Sequence, residues 1–123
     1  MSSYYQIFLR IPEVGEPELA AIEAAAECQL GSVGGGGDGI AFAGRSGSNK
    51  VQVEAPHDFD DDYGIAFSQY PVVVTVVNLQ HNKEQEEACA RGIFRKLVED
   101  EMFSMMLVFD LSVLIDRFDL DPK

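Results

Sequence analysis

The sequence predicts an α+β protein in which two long helices lie on one face of a mainly antiparallel sheet. Runs rich in β-branched and aromatic residues alternate with two segments of helical periodicity, and turn-forming residues separate them. The 123 residues match the length of one domain, and the apolar fraction of 46% is that of a folded protein. We expect a ferredoxin-like α/β plait, or a close variant, in a single domain over residues 1–118. Residues 119–123 are expected to form a tail.

A strand and a helix open the chain. Residues 5–11 have the composition of a strand and end at Pro12. Pro17 suits the first turn of a helix and Gly31 is a natural stop, so a helix is expected over residues 17–30. Its apolar residues recur at helical spacing: Leu19, Ile22, Ala26 and Leu30.

A glycine-rich segment at residues 31–39 follows and is interpreted as a connecting loop. A phosphate-binding loop would lead into a helix and end in Gly-Lys-Ser or Gly-Lys-Thr, and neither condition is met here. Beyond this loop, residues 40–43 and 50–54 are predicted to form two short strands that are joined by a turn at residues 44–49.

A central strand and the second long helix come next. Residues 70–79 are apolar on both alternations, which predicts a strand buried on both faces of the sheet, or covered on one face by a partner. Asn82 is expected to cap the helix that follows, with Gln85 in the capping-box position. The buried stripe of this helix is predicted to consist of Ala90, Ile93, Phe94, Leu97 and Val98.

The C-terminal part is predicted as a strand over residues 103–109 and a short helix that Asp110 caps. The apolar residues assigned to this helix have helical spacing: Leu111, Leu114, Ile115 and Phe118. Pairing of an extra strand around residues 64–67 is left open as an alternative topology.

The charge of the chain restricts its partners. A net charge of -12, from 21 acidic and 9 basic residues, argues against binding to nucleic acid or an anionic membrane and favours a basic partner. No apolar stretch reaches the roughly 18 residues needed to span a bilayer, and the first residues do not resemble a signal peptide. We expect a cytoplasmic protein in which Cys28 and Cys89 are buried, reduced thiols.

The sequence contains no recognisable catalytic or metal-binding arrangement. His57 and His81 fall in predicted loops, and no nucleophile is spaced to meet either of them. The acidic run at residues 58–62 does not match the calcium-binding loop of an EF-hand, because neither the glycine nor the distal glutamate stands at the required position. We therefore expect neither enzymatic activity nor a cofactor nor a bound metal.

The acidic loop before the central strand is the strongest candidate for a binding site. Aromatic anchors surrounded by charge are typical of surfaces on which a protein rich in lysine and arginine docks, whereas a solvated loop without a specific role is the alternative. We expect an acidic inhibitor module of the kind represented by bacterial immunity proteins and antitoxins, which neutralises a basic partner such as a toxin or nuclease. Its contact residues would be Asp58, Phe59, Asp60, Asp61, Asp62 and Tyr63.

A second function class remains open. A dimeric plait could bind or transform a small molecule in a pocket between the sheet and the helices, with weak polar candidates in Tyr5, Tyr70, His57 and His81. If the open face of the sheet is apolar, a second copy of the chain would cover it, which makes a homodimer one arrangement to consider. Mimicry of nucleic acid by spaced carboxylates is a variant of the first class.

Overall fold

The computed structural model describes residues 4–11, 14–33, 40–55, 61 and 64–119. In this part of the chain, seven strands form one antiparallel sheet that is accompanied by two helices, so the protein is α+β. A single turn of 3-10 helix spans Phe67–Gln69. The elements follow in the order β1 (Tyr5–Leu9), α1 (Glu16–Ala26), β2 (Gly31–Ser32), β3 (Ile40–Ser46), β4 (Asn49–Ala55), β5 (Val72–Asn78), α2 (Lys83–Asp100), β6 (Met105–Phe109) and β7 (Val113–Phe118).

The described sheet has β5 as its middle strand, as the sequence predicts, and β1 lies beside it. Its order is β2-β3-β4-β5-β1-β6-β7, and neighbouring strands are antiparallel. β1 pairs with both β5 and β6, so that Leu9 lies opposite Val72 on one side and Met105 on the other. The C-terminal end of β1 therefore adjoins the beginnings of β5 and β6. Since α1 follows β1 and α2 precedes β6, α1 begins and α2 ends at this same end of the sheet.

The main core lies between the two helices and the sheet. Strand residues of one alternation, such as Ile7, Val74 and Leu107, belong to one buried cluster with Ile22 of α1 and Leu97 of α2. Successive side chains of a strand point to opposite faces, so the residues of the other alternation cannot reach this cluster. The predicted apolar stripe of α2 is confirmed: Ala90, Ile93, Phe94 and Leu97 are buried, and Val98 is partly buried against the same cluster.

The opposite alternation forms a second, smaller core. The segment between β4 and β5 supplies part of it, and the rings of Phe8 and Phe67 lie 4.9 Å apart at an interplanar angle of 53°. Residues of β5 are therefore buried on both alternations, as the sequence predicts. The extra pairing considered around residues 64–67 is reduced to a single bridge at Ile65. The cluster consists of Phe8, Ile65, Phe67, Tyr70, Val73, Met106 and Val108.

The hairpin of β3 and β4 is longer than predicted, and the preceding loop contributes a short strand. Pairing continues to Ser46 and Asn49, and Gly47 has the positive φ of 61° that a tight hairpin turn requires. β2, at Gly31–Ser32, pairs with β3 at the edge of the sheet. The sequence did not predict β2, because a glycine followed by a serine has little propensity for a strand. This pairing is supported only by the adjacent edge of β3.

The ends of the helices depend on local backbone and capping interactions. α1 ends at Ala26 and not at residue 30, because Glu27 adopts a left-handed conformation with φ of 55°. The predicted cap of α2 is confirmed, since the side chain of Asn82 accepts the N–H of Gln85 at 3.1 Å.

The predicted C-terminal helix is wrong, because Val113–Phe118 forms the strand β7. Asp110 and Leu111 both have positive φ, at 56° and 57°, and the chain reverses directly after β6. A register shift between Leu107 and Val108 interrupts the alternation of β7, which explains why its apolar residues have helix-like spacing. Pairing with β6 outweighs that local periodicity.

A buried carboxylate joins α2 to the end of β5. Glu86 is only 1% exposed, although glutamate is seldom buried without a partner. Its Oε2 accepts the N–H of Asn78 at 3.0 Å, and its Oε1 lies 3.3 Å from Nζ of Lys83. Both oxygens of this carboxylate are therefore bound, as burial of a charge requires.

Asn78 extends this connection to a neighbouring strand and turn. Its side-chain oxygen accepts the N–H groups of Gln80 and Asn82, each at 2.9 Å. Its side-chain amide donates to Asn49 of β4 at 3.0 Å and to Gln85 of α2 at 3.2 Å. These bonds hold together the end of β5, the start of α2 and the start of β4.

Replacement of Glu86 tests this connection. Glu86→Ala leaves the buried N–H of Asn78 without its acceptor, and we expect the free energy of unfolding to fall by about 2–3 kcal/mol. Urea denaturation followed by circular dichroism measures the loss. The matched control is Glu84→Ala, an exposed position of the same helical turn, for which a change within about 1 kcal/mol is expected. Equal losses in both variants would contradict the assignment.

Two glycines should respond in opposite directions to replacement by alanine. A Cβ at Gly44 of β3 would overlap the carbonyl oxygen of Gln29, whereas a Cβ at Gly92 of α2 would meet no atom within 4 Å. We expect Gly44→Ala to destabilise the fold by about 1–3 kcal/mol because backbone must move. Gly92→Ala should stabilise it by about 0.5–1 kcal/mol through helix propensity. Thermal unfolding of both variants compares the two signs.

Candidate functional site

Of the six predicted contact residues, Asp61 lies within the described part of the chain. The other five, Asp58, Phe59, Asp60, Asp62 and Tyr63, lie outside the described residues. Asp61 is exposed, and its Oδ1 accepts the backbone N–H of Ser68 at 2.8 Å. This bond to the backbone N–H is the main reason why the pKa of Asp61 is lowered, since it stabilises the charged carboxylate.

The bond between Asp61 and Ser68 ties the acidic segment to the second core. Ser68 stands in the 3-10 turn next to Phe67, which is 1% exposed and packs against Phe8 of β1. The position of Asp61 is thus determined by a turn that is itself anchored by a buried ring. The side chain of Ser68 also interacts with this carboxylate, so Asp61 is held in place by both the backbone and the side chain of one residue.

The topology gathers further carboxylates at the end of the sheet where β1 ends. α1 begins there, α2 ends there, and β4 reaches the same end before the chain continues into the acidic segment. We call this surface the acidic end. Arg10, which follows β1, is an exposed cation at the same end. The acidic end comprises Glu16, Glu18, Glu54, Glu99, Asp100 and Glu101.

The carboxylates at the end of α2 are not explained by helix stability. The last turn of α2 contains no basic residue, and the C-terminus of a helix already carries partial negative charge. Glu99, Asp100 and Glu101 are all exposed, and Glu101 has a positive φ of 49°, a conformation that favours glycine. The carboxylates without a neighbouring cation and the positive φ of Glu101 each destabilise the end of α2. The negative potential at this end is therefore maintained at a cost in stability.

Two cations of α2 outside its last turn, Arg91 and Lys96, are paired with carboxylates. Nε of Arg91 lies 2.6 Å from Glu87, and Nζ of Lys96 lies 2.5 Å from Glu27 at the end of α1. These contacts lower the pKa values of Glu87 and Glu27. Because these two cations are already paired, they do little to reduce the negative potential of the acidic end.

An open groove of about 380 Å³ separates α1, α2 and the β3–β4 hairpin. Small side chains form its floor, and four of its polar side chains already have partners: Lys96 pairs with Glu27, and Asn49 and Gln85 each accept the side-chain amide of Asn78. Cys89 lines the groove as a free, half-buried thiol, and burial raises its pKa. A ligand in this groove would have to compete for polar groups that already have partners.

The polar candidates for small-molecule binding do not meet in this groove. The hydroxyl of Tyr5 donates to Glu87 at 3.2 Å, and Tyr70 belongs to the second core on the other face. His81 is exposed with a positive φ of 60°, and His57 lies outside the described residues. The described candidates are therefore distributed over different surfaces and share no cavity.

Among the residues that the structure describes, no three metal-binding side chains are grouped so that they could hold an ion. The described helices also include none with the length and apolar composition that a membrane crossing demands. The chain matches no protein-family model, no curated protein and no solved structure. The function must therefore be argued from the chain itself.

The acidic end was only partly recognisable from the sequence. The run Glu99-Asp100-Glu101 stands out as three consecutive carboxylates at the end of a predicted helix, a position that helices normally fill with cations. That signal could have marked the run as unusual. Its meeting with Glu54 and with the first turn of α1 depends on strand pairing, which a single sequence does not specify.

Titration of Asp61 tests its bond to Ser68. Because the folded-state pKa of Asp61 is lowered, its contribution to stability is present above the ordinary value of about 3.9 and is lost as the pH falls through the lowered value. We expect an NMR titration of the carboxyl carbon to show the lowered pKa. Ser68→Ala removes the hydroxyl, which also lowers this pKa, but keeps the backbone N–H, which is the larger cause, so the pKa should return only part of the way to its ordinary value. An ordinary pKa in the unmodified protein would contradict the bond.

Proposed function

We propose that this protein is an acidic inhibitor that binds and neutralises a basic protein partner, in the manner of bacterial immunity proteins and antitoxins. The observation that carries the proposal is the acidic end, which the topology assembles at the place where β4 leads into the acidic segment of residues 58–62. The net charge of -12 points in the same direction. We place the protein in the cytoplasm, where free thiols such as Cys28 and Cys89 persist.

The proposed mechanism separates steering from anchoring. The carboxylates of the acidic end and of Asp58, Asp60, Asp61 and Asp62 attract a positively charged surface and raise the association rate. Phe59 and Tyr63 would then supply apolar contact area, since aromatic residues contribute most of the binding energy at such interfaces. With this surface over a basic active-site cleft, the substrate of the partner is excluded.

A ferredoxin-like plait is the framework that we propose for this surface. The order strand, helix, strand, strand, helix, strand is obtained from β1, α1, β4, β5, α2 and β6. These strands occupy the sheet order β4-β5-β1-β6, to which β2 and β3 are added at one edge and β7 at the other. The added strands widen the sheet beyond that of a plain plait.

Charge-neutralising double variants test the proposed surface against a partner obtained by affinity capture from the native host and then purified. We expect Asp60→Asn with Asp62→Asn, and Glu99→Gln with Glu101→Gln, each to lower the association rate at low ionic strength about three- to tenfold. The effect should shrink as salt is added, because screening weakens steering. Stopped-flow fluorescence measures these rates.

The matched control removes the same charge from the other end of the sheet. Glu84→Gln with Glu23→Gln changes the net charge equally and leaves the hairpin of β6 and β7 intact, and the new amide at position 23 can still accept the N–H of Leu30. We expect it to alter the association rate less than twofold. Asp61 is left unchanged in all variants because its carboxylate supports the turn at Ser68. The proposal fails if the control and the two test variants slow association to the same extent.

A small-molecule function is the second candidate, and the groove of about 380 Å³ is the observation in its favour. Gly92 lines this groove, so Gly92→Ala narrows it while leaving the acidic end intact. If the protein acts as an acidic inhibitor, we expect Gly92→Ala to bind the basic partner as tightly as the unmodified protein does. The second candidate would instead require that a ligand of the groove bind more weakly to this variant.

A further inference from the structure

The outer edge of β7 is a second surface that invites a partner. In the described sheet β7 is the last strand and pairs on one side only, with β6. Backbone N–H and C=O groups along such an edge can pair with another strand. Val113 and Leu114 at its beginning are 52% and 44% exposed, so apolar surface accompanies the open edge.

The register with β6 assigns the side chains of β7 to the two faces of the sheet. Val113 and Asp116 lie opposite Phe109 and Leu107, on the face that carries the helices. On the other face, Leu114 and Arg117 lie opposite Val108 and Met106, which belong to the second core. Phe118, opposite Met105, also lies on the first face, so an added strand would meet two apolar residues and a carboxylate there, and one apolar residue and a guanidinium on the other face.

A small cavity stands beside the edge on the face of the second core. Its volume is about 110 Å³, and its apolar walls come from Leu114, Met106, Ile65 and Tyr70. Arg117 also lines it, at the polar side. One apolar side chain of a strand added to β7 could enter this cavity, since alternate residues of that strand would point to this face.

The charge of the hairpin favours a basic segment. Residues 109–119 contain three carboxylates, those of Asp110, Asp116 and Asp119, against the single guanidinium of Arg117. Nε of Arg117 lies 3.0 Å from Asp119, and Asp110 has no cation in this hairpin. Asp116 lines a cavity of about 170 Å³ together with Arg91 and Arg95 of α2, but neither arginine forms an ion pair with it, and Arg91 is already paired with Glu87. Asp116 can therefore still accept a lysine or arginine of an added strand.

A second copy of the chain complements this edge poorly. Two copies of β7 joined in one continuous antiparallel sheet are related by a two-fold axis perpendicular to the sheet, so only residues of the same face can oppose one another. Asp116 and Arg117 lie on different faces, and therefore no register pairs them across the axis. Asp116 would face an apolar residue or its own copy, between molecules that each carry a net charge of -12.

We propose that the free edge of β7 binds an extended basic segment of the partner, which pairs with it as an additional strand. This inference rests on the proposed function, because it takes the partner to be basic. Main-chain hydrogen bonds supply the affinity in this mode of binding, and alternate side chains supply the specificity. An apolar residue of the segment fills the cavity beside Leu114, and a cation of the segment lies opposite Asp116.

Hydrogen exchange of the full chain, observed by NMR, tests the pairing with a short peptide of alternating valine and lysine as the probe. We expect amides of β7 to exchange at least about tenfold more slowly when the peptide is bound. A peptide of the same sequence that is N-methylated along one edge cannot form the ladder, and it should leave β7 unprotected. Asp116→Lys should weaken binding about tenfold, whereas Glu84→Lys, with the same change in net charge, should weaken it less than about threefold.

The outcomes separate this inference from the proposed function. If the peptide perturbs the acidic end but leaves β7 unprotected, the inference about β7 is overturned and the proposed function is not. The same holds if the N-methylated peptide binds as tightly as the unmodified peptide. Absence of peptide binding also overturns it, while the function is judged separately by the association rates of the acidic-end variants. If the amides of β7 are protected without peptide, and this protection increases with protein concentration, the edge pairs with a second copy of the chain and the inference is overturned.

Discussion

The pairing of β1 with β5 on one side and with β6 on the other sets the course of the whole chain. Because β1 is antiparallel to both neighbours, β5 and β6 run in the same direction, and the chain must cross from one to the other through α2. The same arrangement starts α1 and ends α2 at one end of the sheet. The main core follows from this pairing because Ile7 and Leu9 of β1 are buried in it. The acidic end follows from it because the pairing brings the start of α1 and the end of α2 together.

The second core connects this framework to the acidic segment. Phe8 is buried on the face of β1 that the helices do not cover, and Phe67 packs against it from the connection between β4 and β5. Ser68 follows directly and donates its N–H to Asp61. A surface carboxylate is therefore positioned by a core contact, which links the packing of β1 to the electrostatics of the proposed binding surface.

The distribution of charge suggests a compromise between stability and binding. Several cations of α2 are paired with carboxylates at short distances, as at Arg91 with Glu87, which supports the helix. At its C-terminus the same helix carries only carboxylates, against the direction of its dipole. Unfavourable local interactions that persist at one place are a reasonable sign of function, and they favour the view that this end of the sheet meets a cation-rich surface.

Features that depend on neighbouring residues could be predicted from the sequence. Burial of β5 on both alternations follows from the valines that stand on both of them, and the start of α2 follows from Asn82 and Gln85, since both signals are local. Strand β7 and the acidic end were decided only by the tertiary structure. Pairing with β6 overrode the helix-like spacing of Leu114 and Ile115, and long-range strand order brought separated carboxylates to one end, because strand pairing joins residues that lie far apart in the chain.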